Sequence, residues 1–229
     1  MLNTKFISKY LKIIIFVILV VIVASYLFWK NKNNDQPVVA LLINNTNEEA
    51  KTVDKTNDIT TIVLVSEPIS NALGRVTKKP FGIKISPEDS PVRPERFSGY
   101  HTGVDFETTA DEQKIDIDVM AICDGKIIYK DWVNGYGGVV IESCVIDKQT
   151  VTVIYGHLKL ASVLLKTGST IKAGEKLAVL GQAYSSETNG ERKHLHLAIH
   201  QGDKINLLGY AKNKADLVNW VDITKYLVK

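Results

Sequence analysis

The chain has 229 residues, 45% of them hydrophobic and 23% charged, with a formal net charge of +3. That length accommodates one well-buried domain with extensions, or two small domains. The lysines are scattered rather than gathered into a stripe, so nothing in the charge pattern marks a nucleic-acid footprint, and no nucleic-acid partner is expected.

Residues 1–12 carry Lys5, Lys9 and Lys12 and read as a short cytoplasmic N-terminus. Residues 13–29 then form an apolar run from Ile13 to Ala24 that continues through Ser25, Tyr26, Leu27 and Phe28 to Trp29. At a helical rise of about 1.5 Å this makes roughly 25 Å, near the short end of what spans a bilayer. Tyr26 and Trp29 suit an interface, and Lys12 and Lys30 can snorkel outward. The alternative is a cleaved signal peptide, but its apolar core would be unusually long, and Ala24 and Ser25 follow the bulky Ile22 and Val23. The positive charge before the run, against Lys30 and Lys32 after it, keeps the N-terminus cytoplasmic. The expectation is a single-pass cell-membrane protein whose remaining chain is extracytoplasmic.

Residues 30–76 are rich in Lys, Asn and Thr and read as a stalk or linker. Two short apolar runs, Val38 to Ile43 and Ile59 to Val65, could add an edge strand but cannot make a core alone. From Thr77 the character changes, and residues 77–229 read as the folded domain. Pro80, Pro87, Pro91 and Pro94 describe an extended, turning opening segment. Ile117 to Cys123, the Asp124-Gly125 turn and Lys126 to Tyr129 read as a hairpin. Gly135-Tyr136-Gly137-Gly138 precedes another apolar strand. Thr150 to Tyr155 alternates, with Val151, Val153 and Tyr155 on one face. Lys166 to Glu175 is a turn–strand–turn unit leading into Leu177 to Leu180. Helical periodicity is weak and confined to residues 158–165 and 222–227. Short strands with regular turn signals predict a mainly β sandwich or barrel. Cys123 and Cys144 lie in two of these strand-like stretches, as an export disulfide or as two buried thiols; the sequence leaves both open.

Four of the five histidines fall in three short motifs: His101-Thr102-Gly103-Val104-Asp105, Tyr155-Gly156-His157-Leu158 and His194-Leu195-His196. On a strand, His194 and His196 project to one face with Leu195 opposite. His101 and Asp105, four apart, share a side of an extended segment, with Gly103 letting the backbone pass close. Catalytic zinc takes three protein ligands and keeps one position open. His101, Asp105 and one member of the His194/His196 pair supply that number, leaving the other member and His157 for proton transfer. Each motif alone is commonplace; their co-occurrence in one β domain is not. His200 belongs to none of them and reads as a surface histidine.

These three motifs resemble, in order and spacing, those of the lysostaphin-type (LytM-like) zinc endopeptidases of peptidoglycan. Pro80-Phe81-Gly82, Val119-Met120-Ala121 with Asp124-Gly125, Gly135-Tyr136-Gly137-Gly138 and Lys172-Ala173-Gly174-Glu175 look like the family's framework. The resemblance covers roughly Lys79 to Lys229. It implies His101, Asp105 and His196 as zinc ligands, and His157 and His194 as the catalytic pair. It further implies a mostly antiparallel β core with a narrow groove, and peptidoglycan cross-links or stem peptides as substrate. Two departures stand out. Tyr184 to Lys193 replaces a turn usually rich in Gly and Thr, and Glu191, Arg192 and Lys193 stand directly before His194 where small residues are usual. The acidic segment from Phe106 to Asp118 is also long. Competing readings are a non-catalytic or partner-activated wall-peptide module working with a regulatory protein partner, and a structural zinc closed by His157.

Overall fold

The computed structural model describes residues 65–227; the apolar run 13–29 and the sequence up to residue 64 lie outside the described residues. Among the described residues no helix is long and apolar enough to cross a membrane. The strands, in chain order, are β1 (Lys84–Ile85), β2 (Gly99–His101), β3 (Val104–Glu107), β4 (Asp118–Met120), β5 (Gly125–Val133), β6 (Gly137–Ile146), β7 (Gln149–Leu158), β8 (Thr170–Ile171), β9 (Lys176–Val179), β10 (His194–Gln201), β11 (Tyr210–Ala211) and β12 (Trp220–Val221). The fold is mainly β and its pairings are antiparallel.

The main sheet runs β12-β10-β7-β6-β5-β8, with β3 pairing the N-terminal half of β10 beside β12. Its centre is the β6–β7 hairpin, closed by Asp147 (φ 51°) and Lys148 (φ 63°). Two consecutive left-handed residues are what a two-residue hairpin turn matched to the strand twist requires. A three-stranded sheet, β1-β2-β11, and a two-stranded one, β4-β9, complete the structure.

Both faces of the main sheet are covered. One buries Val104, Phe106, Val153, Tyr155, Leu195 and Leu197 in the larger core, with the β4-β9 pair contributing Val119 and Leu177. The other buries Val139, Ile141, Ile154, Ala198 and Trp220. Ile69 and Ala72, upstream of Thr77, are also fully buried in the larger core. Main-chain bonds from Ser66 N to Ile122 O and from Met120 N to Pro68 O tie that segment down.

Two expectations need correcting. The Asp124-Gly125 turn does not close a hairpin: β4 pairs with β9, while β5 pairs with β6 and β8. Local alternation could not see this, because β4's strand partner, β9, comes from far along the chain. The weakly helical stretches are only short 3-10 turns, Leu160–Ser162 and Ile223–Lys225. The open question over the cysteines closes as a disulfide between Cys123 and Cys144, which joins the turn after β4 to β6.

Glu142, on β6, is fully buried. It accepts a bond from the Tyr155 hydroxyl at 2.7 Å on Oε2, and its Oε1 has no partner. Burial pushes its carboxyl from 4.5 up to about 7, against the opposing hydrogen bond from Tyr155. A folded-state pKa raised above the unfolded one gives stability that is complete below about 4.5 and is lost as pH rises through about 7. Full ionisation therefore costs on the order of 3 kcal/mol. Glu142→Gln keeps an acceptor for Tyr155 and cannot ionise. Its thermal midpoint should gain on the wild type between about pH 4.5 and pH 7 and level off above that, and parallel pH profiles for the two proteins would refute this account of the buried carboxyl.

Candidate metal centre and groove

The centre is assembled by strand pairing. His196 on β10 lies directly opposite Asp105 on β3, and on its other side opposite Gly156 on β7. His194 lies opposite Glu107. Strand alternation sends Leu195 and Leu197 into the larger core and turns His194 and His196 the other way, together with Asp105 and Glu107. His101 arrives from a different sheet, at the end of β2 paired with Tyr210 of β11. The bend at Thr102 and Gly103 then turns the chain into β3. A Cβ at Gly103 would sit 2.6 Å from Leu197 O and 2.9 Å from the His196 ring, so only glycine lets the two strands close on the centre.

Three donor atoms meet there. His101 Nε2 lies 3.0 Å from His196 Nδ1, His196 Nδ1 lies 3.1 Å from Asp105 Oδ1, and His101 Nε2 lies 3.3 Å from the same oxygen. All three residues are buried, and they form a group suited to a metal ion. His101 Nδ1 faces Pro80 O at 3.3 Å, which places its proton on Nδ1 and leaves Nε2 a bare lone pair. Neighbouring lone pairs on three mutually close atoms cannot satisfy one another; a cation satisfies all of them. A tetrahedral zinc with bonds of about 2.0–2.1 Å spaces its ligands about 3.3–3.4 Å apart, close to the triangle observed. The residues present fit the metal.

The electrostatics agree. Burial pushes the Asp105 carboxyl up, but His194 and His101 outweigh it and hold it well below its usual value. Burial lowers His196 to about 4, only partly offset by its bond to Asp105. A metal ligand must be a carboxylate or a neutral imidazole; the neighbouring histidines favour the first at Asp105, and burial favours the second at His196.

His157 reaches the centre by an irregularity. Continued alternation would have put it on the core face with Val151, Val153 and Tyr155. Between the Val140–Tyr155 and Gly138–Leu158 pairs, however, β7 carries one more residue than β6, and His157 has φ 62°. This bulge re-aims the side chain into the groove. Its backbone is held on both sides: its N–H donates to Tyr136 O, and its carbonyl accepts from Gly181 N. The His157 and His194 rings lie 4.3 Å apart, and burial, then the neighbouring His194 and His196, keeps His157 neutral. His194 Nδ1 donates to Arg192 O at 2.9 Å, which leaves Nε2 without the proton and facing Asp105 Oδ2 at 3.3 Å.

A cavity of about 280 Å³ covers this group, lined among others by Asp105, His157, His194, His196, Phe97 and Tyr136. Tyr136 stands edge-on to His196, and Tyr210 stacks on His101 at 5.2 Å. The Tyr210 hydroxyl accepts from Lys79 Nζ, itself in a buried ion pair with Glu95. Sequence reasoning had no signal for Lys79, Glu95 or Tyr210. Arg192 had one, the charged triplet before His194. All three members of that triplet are engaged: Glu191 with Arg96, Arg192 with Asp105 and Glu107, and Lys193 Nζ with the carbonyls of Glu112 and Ile115. His200 lies apart from the centre, its ring against Trp220.

Residues 99–207, which hold the donor triangle together with His157 and His194, match the model of Peptidase family M23, a match that supports the lysostaphin-type resemblance of the motifs. A stretch of 90 residues is 37% identical to the murein hydrolase activator EnvC of Escherichia coli (strain K12). That match takes in 39% of this chain but only 19% of the relative, so the chain corresponds to about a fifth of that protein. Among solved structures, the catalytic domain of the antimicrobial peptidase lysostaphin from Staphylococcus simulans aligns at 23% identity and TM-score 0.42, covering 65% of this chain and 86% of that one. Helicobacter pylori Csd3 aligns at 22% identity and TM-score 0.41, covering 66% and 35%.

Proposed function

We propose that this chain is a membrane-anchored zinc endopeptidase that hydrolyses peptide bonds in bacterial peptidoglycan cross-links or stem peptides. The observation that carries the reading is the donor triangle of His101, Asp105 and His196 beside two further histidines, in a segment that matches Peptidase family M23. His101 Nε2, Asp105 Oδ1 and His196 Nδ1 would hold the zinc. When bound, zinc supplies Lewis acidity toward a carbonyl and brings the pKa of water near 7.

The remaining chemistry belongs to the protein. His194, its Nδ1 proton fixed on Arg192 O, presents Nε2 as the base that accepts a proton from the attacking water. His157, neutral and locked on its bulge, donates a hydrogen bond to the carbonyl oxygen as charge develops there. The departing amine recovers the proton held at His194 Nε2. Tyr136 and Tyr210 wall the group and restrict water around it.

Residues 13–29 serve as the anchor in this reading, with the N-terminus cytoplasmic and residues 77–229 extracytoplasmic, facing the wall across the segment 30–76. The likeness to a murein hydrolase activator supports a second reading, a partner-activated or non-catalytic module that binds wall peptides for a regulatory partner. Retention of all five histidine and carboxylate positions favours catalysis. The test is incubation of the full chain with purified peptidoglycans of several cross-link types, with fragments read by mass spectrometry. Chelator-sensitive release is expected, and the fragment masses name the bond. A chain that binds zinc yet releases nothing from any wall would favour the activator.

A further inference from the structure

Arg192 stands where small residues are usual, and its contacts are specific. Its Nη2 donates to Asp105 Oδ2 at 2.8 Å, the carboxylate oxygen turned away from the His101–His196 pair; His194 Nε2 stands farther from that oxygen, at 3.3 Å, and carries no proton for it. Its Nε donates to Glu107 Oε2 at 2.9 Å and Oε1 at 3.1 Å, and Nη2 also reaches Glu107 Oε1. Asp105 and Glu107 are two apart on β3 and share a face, so one planar guanidinium spans both carboxylates. The same residue's carbonyl fixes His194 through Nδ1. The side chains of Arg192, Asp105 and Glu107 are 11%, 2% and 9% exposed, which places this ion pair inside the protein.

We infer that Arg192 is a positioning residue for the metal-binding carboxylate: by occupying Asp105 Oδ2 it leaves Oδ1 alone to face the two imidazoles. The inference rests on the zinc reading above. A carboxylate free at both oxygens can rotate and offer a metal both of them, filling the position that a hydrolytic site keeps open. A guanidinium on one oxygen prevents this and draws charge from the other. Lysine is no substitute, because a point ammonium cannot hold Glu107 and Asp105 in one rigid fork. Glu107 keeps Arg192 in place; its only other cation among the described residues is Lys78, at 3.5 Å.

The test loads the full chain with cobalt(II) in place of zinc and reads its visible absorption, alongside zinc affinity by competition with a chromophoric chelator. The wild type should show the intense bands of four-coordinate cobalt. Arg192→Met should lower them toward the weak absorption of a higher coordination number and change zinc affinity by about 10- to 100-fold, the usual effect of an outer-sphere partner. Arg192→Lys should restore the bands only in part. Glu107→Gln combined with Arg192→Met removes the unpaired carboxylate as a cause, and it should keep the altered spectrum. An unchanged spectrum and affinity in Arg192→Met, or a return to wild type in the double variant, would overturn the assignment. Absence of metal binding by the wild type would instead overturn the zinc reading itself, and this assignment with it.

Discussion

His196→Ala is expected to lose zinc and cleavage together. His196 Nδ1 is the atom that closes the triangle, within 3.1 Å of both other donors, and its neighbours on the strand cannot replace it. Leu195 and Leu197 point into the core, and His194 is held by Arg192 O. Two ligands would remain, too few for a tight site, and the activity lost should exceed the about 10–100-fold that outer-sphere partners cost. Stability should respond as well. Metal binding to the folded state alone is linked to folding, so zinc should raise the thermal midpoint of the wild type and leave that of His196→Ala unmoved. Metal content by atomic emission checks the first half and melting with and without zinc the second. Wild-type zinc occupancy in the variant would refute the ligand assignment.

His157→Ala should separate chemistry from metal binding. Its ring stands 4.3 Å from His194 but belongs to no donor triangle, so zinc should stay at one per chain while cleavage falls by about 10²–10⁴-fold, the usual contribution of an acid–base group. At φ 62° alanine sits in a left-handed region that histidine and asparagine populate more readily. His157→Asn is the better control, since asparagine tolerates the left-handed region. It should keep the melting temperature and lose activity to the same extent. A His157→Asn protein that lost zinc would mean that His157 is a fourth ligand and the metal structural.

What the sequence made legible follows the physics of strands. His-x-His puts two imidazoles on one face wherever β10 lies, and the pairing with β3 brings Asp105 opposite His196 without any unusual backbone. The convergence of His101 could be read from spacing and Gly103, although it comes from a second sheet. His157 is different. Periodicity would bury it with Tyr155, although the histidines left over from a three-ligand set already cast it for proton transfer; a bulge and a left-handed φ make that role accessible. The failed hairpin at Asp124-Gly125 has a related cause, for a turn signal states where the chain bends and not which strand it then meets. Arg192 was visible as a charge out of place. Its purpose became readable only once Asp105 and Glu107 were seen to share its guanidinium.

The most direct test of the central claim is a zinc titration of the chelator-stripped full chain, with peptide release from peptidoglycan measured at each addition. The account predicts no release without metal, a linear rise, and a sharp break at one zinc per chain. Release that is undiminished in the stripped protein, or none after one zinc has bound, would contradict it.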